Sequence, residues 1–162
     1  MNKGKGTFTR FRSNDSDSTS LSGDIVTSIV EGDNNDLWIG AWDTKGINRM
    51  NYQTKKCRRY LPGITIVAIK KDSKGDLWVG SVNSIYKYDK INDTFTLYTI
   101  GGVPVTVNEM KSMVIDRHDN LWIITVTGIT RIDTKNNHFI VYGKQNGFNA
   151  QDYPYASANL LS

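Results

Sequence analysis

The chain has 162 residues, of which 38% are hydrophobic and 22% charged, and its formal net charge is +4. This composition is that of an ordinary globular domain, and no run of 18 apolar residues is present that could span a membrane. The basic residues form short clusters at predicted edges and turns, such as Lys55–Lys56 and Lys70–Lys71. Because nucleic-acid binding needs such charges gathered on one face, we expect no nucleic-acid partner.

A phrase of four residues recurs three times and sets the period of the chain. It reads Leu-Trp-Ile-Gly at 37–40, Leu-Trp-Val-Gly at 77–80 and Leu-Trp-Ile-Ile at 121–124, so the tryptophans lie 40 and then 44 residues apart. Around each tryptophan, runs of alternating or β-branched residues are separated by turns rich in Asn, Asp and Gly. This pattern predicts four antiparallel strands per unit, which is typical of β-propeller blades.

The predicted elements follow one another along a single partial domain at 1–162. They are an outer strand of a preceding blade at 7–12, complete blades at 24–60, 64–99 and 107–142, and the start of a next blade at 146–162. The predicted fold class is therefore all-β, a β-propeller fragment of four-stranded antiparallel blades. No capping unit is evident at either end, so we expect the terminal blades to expose apolar faces.

The first unit resembles a known repeat. Residues 20–31, followed by Leu-Trp-Ile-Gly at 37–40 and Gly-Ile-Asn-Arg-Met-Asn at 46–51, resemble the two-component regulator propeller repeat. The resemblance covers almost the whole chain and weakens at Ile124, where a glycine is expected. It implies a part of the paired propellers that form the periplasmic sensor region of hybrid histidine kinases, many of which detect oligosaccharides. On this basis the segment is periplasmic, and any kinase activity lies elsewhere in the parent protein.

Residues that recur at the same position of the repeat are assigned structural roles, because an active site is needed only once. They are Trp38, Trp78, Trp122, Gly40, Gly80, Tyr60, Tyr98 and Tyr142. The carboxylates of the turns, such as Asp33 and Asp116, recur in the same way. The lone Cys57 stands where the other units have phenylalanine, which favours a buried apolar role. No catalytic constellation, metal-ligand spacing or cofactor motif is evident, so we expect no enzymatic activity, metal or cofactor.

Departures from the repeat supply the candidate ligand residues. In a propeller, the links between second and third strands open on the same face as the links between blades, where ligand sites usually lie. Trp42 lies in such a link and has no aromatic counterpart at Val82 or Val126. An aromatic platform beside hydrogen-bonding groups suits a carbohydrate. The candidate ligand-binding residues on this face are Trp42, Asp43, Lys45, Asn83, Thr125 and Thr127.

Three functions are open at this point. They are a non-catalytic sensor fragment of a hybrid two-component regulator, a carbohydrate-active enzyme of propeller fold, and a protein-interaction scaffold. The predicted inner strands at 25–29 and 64–68 carry no cluster of His, Tyr or acidic residues, which favours the sensor over the enzyme. The expected partners are an oligosaccharide and, on the exposed blade faces, either the remaining blades of the parent propeller or a second copy in a homodimer.

Overall fold

The computed structural model describes residues 8–148, which are almost entirely β-structure. Three four-stranded antiparallel sheets follow one another, each with its strands in sequence order. Blade 1 contains β1 (Val26–Glu31), β2 (Asp36–Ala41), β3 (Ile47–Asn51) and β4 (Cys57–Tyr60). Blade 2 contains β5 (Ile66–Lys71), β6 (Leu77–Ser81), β7 (Ile85–Asp89) and β8 (Thr94–Leu97). After a short hairpin of β9 (Thr99–Ile100) and β10 (Val103–Pro104), blade 3 contains β11 (Met110–Ile115), β12 (Leu121–Thr125), β13 (Gly128–Asp133) and β14 (His138–Tyr142).

The hairpin accounts for the longer spacing between the second and third tryptophans. β9 pairs with β10 in the link between blades 2 and 3, whereas the link between blades 1 and 2 contains no strand. Gly101 and Gly102 form the turn with φ angles of 60° and 81°. Glycine adopts these left-handed values at little cost, so the extra residues fold into a tight turn without disturbing either blade.

The three blades share one register around their tryptophans. Each tryptophan lies opposite a residue of its first strand: Trp38 opposite Val30, Trp78 opposite Lys70 and Trp122 opposite Val114. Each first strand also shifts register near its start, between Val26 and Ser28 in blade 1 and at the equivalent place in the other two blades. Because a bulge increases local twist, the blades acquire their twist in the same way.

The hydrophobic core lies between the blades. Trp38 and Trp78 are buried and face the following blade. We call the tryptophan-bearing side of each blade its trailing face and the opposite side its leading face. The core between blades 1 and 2 consists of Trp38, Ile47, Tyr60, Ile66, Ile69, Leu77 and Val79. Each hydrophobic core therefore lies between two sheets and is formed by the trailing face of one blade and the leading face of the next.

An aromatic cluster closes the outer edge of the core between blades 1 and 2. The ring centroid of Trp38 lies 4.8 Å from that of Tyr88 and 5.5 Å from that of Phe95, both in edge-to-face orientation. The hydroxyls of Tyr60 and Tyr88 both donate to the Asp93 carboxylate, at 2.8 Å and 2.5 Å. The ring contacts of Trp38 and the hydrogen bond of Tyr60 cross from blade 1 to blade 2, so they tie the two sheets together, and the bond of Tyr88 fixes Asp93 within blade 2.

The glycine of the repeated phrase marks the closest approach of neighbouring blades. A Cβ atom built on Gly40 would lie 2.7 Å from Cγ2 of Ile66, and one built on Gly80 would lie 2.4 Å from Sδ of Met110. Neither distance is possible between real atoms. Each glycine thus leaves a space, which we call the glycine socket, for one apolar side chain of the next first strand.

The segment before blade 1 differs from the prediction. No strand forms over residues 8–12, and Thr7 lies outside the described residues. A strand needs a neighbouring strand for its backbone hydrogen bonds, and the polar residues that follow satisfy their own backbone in turns instead. Within these turns Asp17 accepts from the backbone N–H of Thr19 at 2.8 Å. Arg59 then holds the segment by donating to the carbonyl oxygens of Asp17 at 2.9 Å and Leu21 at 3.0 Å.

The expectation of an uncapped first blade also needs correction. Leu21 packs on the leading face of blade 1 against Ile39, Met50 and Cys57. Ser22 adds hydrogen bonds to the buried Asn48, including one from its N–H to Asn48 Oδ1 at 2.9 Å. The outer part of this face is therefore covered by the chain itself.

At the other end, the next blade predicted for 146–162 lies largely outside the described residues. Lys144–Asn146 form a single 3-10 turn, and Gly147 ends it with a φ angle of 78°. No helix within residues 8–148 is both long and apolar enough to cross a bilayer.

The glycine socket can be tested by Gly40→Ala. We expect a loss of about 1–3 kcal/mol in the free energy of unfolding, because the new methyl group overlaps Ile66, whose β-branched side chain has few alternative rotamers. Denaturant titration monitored by tryptophan fluorescence measures this loss. Ile66→Ala makes room for the methyl group, so the double variant should lose less than the sum of the two single variants. Strictly additive losses would show that the two side chains do not compete for one space.

Candidate ligand-binding site

The two ends of the blades carry different chemistry. One end, which we call the turn end, holds the turns between first and second strands and between third and fourth strands. The other, which we call the link end, holds the links between second and third strands and the links between blades. Because the strands of each meander alternate in direction, every second connection falls at the same end. The ligand residues predicted from the sequence all belong to the link end.

Carboxylates at the turn end hold the tryptophans. Asp116 accepts a hydrogen bond from Nε1 of Trp122 at 2.8 Å, and Asp72 accepts one from Nε1 of Trp78 at 2.9 Å. Burial raises the pKa of Asp116, but the hydrogen bonds from Trp122, from Asn120 and from nearby backbone N–H groups outweigh it and lower the pKa to about 2. Asp116 is thus an ionised part of its turn, and in blades 2 and 3 the same turn carboxylate holds the tryptophan.

Other charged groups at the turn end join the blades. Asp119 accepts from both the N–H and the hydroxyl of Ser73, each at 2.8 Å, across the boundary between blades 3 and 2. A cleft of about 380 Å³ lies at this boundary, and within it Lys87 pairs with Asp76 at 2.8 Å. Since its charges neutralise one another, we regard the cleft as a stabilised boundary between blades. No group of three or more His, Cys, Asp or Glu side chains in residues 8–148 is arranged to hold a metal ion.

The link end contains a cavity of a different kind. Its volume is about 330 Å³, and its lining has hydroxyl, amide and aromatic groups but no charged side chain. The lining residues are Gly63, Ile64, Thr65, Ser81, Val82, Asn83, Ser84 and Tyr86. The first three belong to the link between blades 1 and 2, and the others to β6, β7 and their connection. The cavity is therefore assembled from two segments that meet only in the folded chain.

Hydrogen bonds from both sides fix the walls of the cavity. On the side of blade 1, the N–H of Thr44 donates to Oγ1 of Thr65 at 2.9 Å, and the N–H of Gly63 donates to the carbonyl of Thr44 at 3.0 Å. On the side of blade 3, the N–H of Val107 donates to the carbonyl of Asn83 at 3.0 Å. The backbone of the site is thus held in place from both sides.

The loop beside this cavity has an unfavourable backbone. Asp43 and Thr44 both have φ angles of 59°. Left-handed values are costly for a β-branched residue, and such conformations occur preferentially at functional sites. The bonds of Thr44 to the link between the blades hold the loop in this conformation.

One of the predicted ligand residues, Asn83, lines the cavity. Trp42 and Asp43 are not among the lining residues, but they belong to the loop whose Thr44 is hydrogen-bonded to Thr65 of the lining. The Trp42 side chain is available to a ligand, since the residue is 44% exposed. Lys45 lies in the same loop, but its aliphatic stem packs over Gly23, where a Cβ atom would meet its Cγ at 2.7 Å. Lys45 therefore points towards the segment before blade 1.

Thr125 and Thr127 are not among the residues lining the cavity. Thr125 is buried, and its hydroxyl accepts from the N–H of Thr127 at 3.2 Å and donates to the carbonyl of Gly128 at 3.1 Å. In blade 2 the hydroxyl of Ser81 likewise accepts from an N–H and donates to a carbonyl of its own turn, both of them belonging to Ser84. The hydroxyl of Thr125 is therefore engaged in its own turn, and the ligand role predicted for it stays a prediction.

Asn83 is the one lining residue that sequence reasoning proposed, and among those that it missed are Thr65, Ser84 and Tyr86. Tyr86 could have been found from the sequence, because it is aromatic whereas Asn48 and Thr130, at the equivalent positions of the other units, are not. The comparison that singled out Trp42 would have found it. The small hydroxyl residues carried no such signal, since Ser and Thr are common in any link.

Comparison with protein families confirms the resemblance of the repeats. Residues 60–83, which include the end of β4, the link between blades 1 and 2 and the second Leu-Trp phrase, match the family described as Two component regulator propeller. A comparison with curated protein sequences gave no match.

Solved structures with the same fold include extracellular domains of bacterial regulatory systems. One, described as the extracellular domain of a hybrid two component system from B. thetaiotaomicron, has a TM-score of 0.65 and 23% identity over 84% of this chain and 19% of that one. Another, described as the extracellular domain of a one component system from the same organism, has a TM-score of 0.62 and 20% identity over 78% of this chain and 17% of that one. The chain thus spans about a fifth of the length of these domains.

A lyase has the same architecture. Virginiamycin B lyase from Staphylococcus aureus, solved as a catalytically inactive variant with quinupristin, has a TM-score of 0.54 and 17% identity over 73% of this chain and 41% of that one. Likeness at these levels of identity shows the fold, and the fold is that of β-propeller blades.

The ionised state of Asp116 can be tested through pH. Because the pKa is lowered in the folded chain, the contribution of Asp116 to stability is complete above pH 4 and is lost as pH falls towards 2. The free energy of unfolding of the wild type should therefore exceed that of Asp116→Asn by roughly 1–2 kcal/mol at pH 7, after allowance for solvent screening. This difference should vanish near pH 2. Denaturant titrations across this range measure it. Trp122→Phe removes one donor and should shrink the difference, whereas a difference independent of pH would refute this role.

Proposed function

We propose that this segment, which carries the two component regulator propeller repeat, is a non-catalytic ligand-sensing part of an extracellular propeller domain. Its ligand is a neutral oligosaccharide, and its site is the cavity at the link end together with Trp42. The parent protein, on this proposal, is a membrane-anchored hybrid two-component regulator whose propeller lies in the periplasm. The likeness to extracellular domains of such systems supports this placement.

The observation that carries the proposal is the lining of the cavity. Thr65, Asn83 and Ser84 offer hydroxyl and amide groups, which can both donate to and accept from sugar hydroxyls. Tyr86 adds an aromatic ring, and such rings pack against the apolar face of a pyranose. Because no charged side chain lines the cavity, nothing there would offset the cost of burying a charged ligand. These features together favour a neutral sugar.

The size of the cavity suggests how such a ligand would lie. A volume of about 330 Å³ is at the lower end of small-molecule sites. It therefore accepts one end of an oligosaccharide. On this proposal the exposed ring of Trp42, in the loop bonded to the lining through Thr44, covers a further sugar unit outside the cavity.

Signal transmission follows from where the walls of the cavity originate. One wall is the link between blades 1 and 2, and the other is the β6–β7 connection, which is bonded to the link before blade 3. A ligand that contacts both walls binds most tightly to one relative position of the blades. Because its affinity is higher for this position of the blades than for any other, binding stabilises this position. Such a difference in affinity between two conformations is the physical requirement for a signal.

Binding can be measured by calorimetry and thermal denaturation with a panel of neutral oligosaccharides. We expect at least one to bind and raise the unfolding temperature, and Asn83→Ala and Tyr86→Ala to weaken its binding at least tenfold through loss of hydrogen bonds and stacking. Lys135→Ala, at the turn-end cleft, is the matched control and should bind normally. If no oligosaccharide of the panel binds, or if Asn83→Ala binds one as tightly as the wild type does, the proposed site is contradicted.

The role of Trp42 can be separated from that of the cavity by ligand length. Trp42→Ala should weaken binding of a longer oligosaccharide several-fold and leave binding of its shortest recognised fragment unchanged, because only the longer ligand reaches the loop.

Chromatography of the incubated sugars should recover them intact. Shortened or unsaturated products would instead indicate a propeller-fold enzyme.

A further inference from the structure

A second cavity lies between blades 2 and 3, at the outer edge of their boundary. Its volume is about 250 Å³, and we call it the hairpin cavity because the β9–β10 hairpin forms one wall through Ile100, Val103 and Pro104. The opposite wall is the leading face of blade 3, through Phe139 and Val141 of β14. Both blades of this boundary belong to the described residues, so the cavity does not arise from where the described chain begins or ends.

Aromatic rings occupy the equivalent positions between blades 1 and 2. Phe95 corresponds to Phe139 in its strand, and it packs against Trp38 with ring centroids 5.5 Å apart. Phe139 is instead 53% exposed. Tyr86 packs at the core between blades 1 and 2, whereas Thr130, its counterpart in blade 3, lines the hairpin cavity. The smaller side chain leaves open a space that a ring could fill.

The side chains that line the hairpin cavity are apolar apart from two hydroxyl groups. Ile100 and Val105 also pack against the core between blades 2 and 3, so the cavity continues that core outwards. Thr106 and Thr130 supply the hydroxyls, and none of the described residues that line the cavity is charged. An ionic ligand would therefore find no partner there, whereas a ring with one hydrogen-bonding group would.

The size of the cavity and its exposed groups indicate an aromatic ligand. A dry apolar cavity of about 150 Å³ can hold benzene, so a volume of about 250 Å³ has room for two fused rings. Phe139 offers a ring to such a ligand, and paired aromatic rings stabilise one another beyond the burial of their surface. Val103 and Val141 are 67% and 48% exposed, so a ligand between them would remove apolar surface from water.

The hairpin cavity and the cavity at the link end share a segment of chain. Thr106, which lines the first, pairs with Ser84, which lines the second. The N–H of Val107 donates to the carbonyl of Asn83, another lining residue of the cavity at the link end, at 3.0 Å. A ligand that holds the hairpin in this position therefore also holds the backbone of Asn83 and Ser84.

We propose that the hairpin cavity is a second ligand site, for a small uncharged molecule built on one or two aromatic rings with one hydrogen-bonding group. The ring lies between the hairpin and Phe139, and Thr106 or Thr130 bonds its polar group. Occupancy fixes residues 106–107 and so strengthens binding of a sugar at the link end, by linkage between the two sites. This effect on the sugar rests on the proposed function, whereas the second site itself does not.

Indole, which has two fused rings and one N–H, is the probe, and calorimetry measures its binding to the whole chain. Val141→Asp should weaken binding at least tenfold, because indole would remove water from the new carboxylate. Ile140→Asp, on the opposite face of the same strand, is the matched control and should bind as the wild type does. Thr130→Tyr, which supplies the residue of blade 2, should also weaken binding at least tenfold by filling the cavity. No binding by the wild type, or equal weakening by Ile140→Asp, would overturn the site.

The aromatic nature of the ligand can be tested with phenol and cyclohexanol, which are similar in size and carry one hydroxyl each. Phenol should bind at least threefold more tightly, because only phenol has a ring face for Phe139. NMR titration of the valine methyl groups measures both affinities. If cyclohexanol binds as tightly as phenol, the assignment of an aromatic ligand is wrong.

A second copy of this chain is another occupant that the exposed apolar groups could accept. On the proposal, wild type and Val141→Asp should sediment alike over the concentrations used for calorimetry. Association of the wild type that Val141→Asp abolishes would show that a second copy fills the cavity, and it would overturn the small-molecule site.

The linkage between the two cavities can be measured with and without a sugar. Saturating indole should slow hydrogen exchange of the Val107 amide at least threefold in the wild type and leave it unchanged in Val141→Asp, because the hairpin opens less often. Indole should also tighten binding of a recognised sugar at least threefold. Unchanged exchange or unchanged sugar affinity would overturn the linkage. If no sugar binds at all, the proposed function fails, and the indole site and the exchange result are judged on their own.

Discussion

The stacking of the blades depends on the contact between one glycine and one apolar side chain. At Gly40 and Gly80 the backbone approaches Ile66 and Met110 so closely that no Cβ atom fits between them. This approach brings two broad sheets near enough for their tryptophans and aliphatic side chains to fill the space between them. Since dispersion contacts are lost steeply as a gap opens, a small increase in spacing would weaken the whole core at once.

Because the blades stack in this way, polar groups have different roles at the turn end and at the link end. At the turn end, Asp72, Asp116 and Asp119 accept hydrogen bonds from the tryptophans and from the neighbouring blade. They are therefore committed to the fold. At the link end the bonds that hold the walls are mostly made by the backbone, as between Val107 and Asn83. Side chains there remain available, which is why chemistry specific to this chain collects at that end.

The sequence predicted the strands and their register well because both depend on local patterns. Alternation of apolar residues and Asn, Asp and Gly turns act within a few residues, and the tryptophans repeat them. The prediction was wrong for residues 8–12, because whether a strand forms there depends on a partner strand and not on its own sequence. It missed Thr65 and Ser84 because they meet only after the blades stack. The ligand role of Thr125 stays a prediction, because sequence does not distinguish a hydroxyl that bonds its own turn, as this one does, from one that faces solvent.

The informative positions of this chain are therefore those where one unit departs from the others. A residue type shared by all units is required by every boundary between blades, so a departure is tolerated only where that requirement is lifted. Ile124 lies on a trailing face where the described chain presents no further blade, and Trp122 on the same face stacks on Tyr142 of its own blade, with ring centroids 6.1 Å apart. Trp38 likewise contacts Tyr60 of its own blade, at 5.4 Å, and it also packs against Tyr88 and Phe95 of the next blade. The contact between tryptophan and tyrosine within one blade is thus common to the three units. The contacts with a next blade are what set the first two trailing faces apart among the described residues.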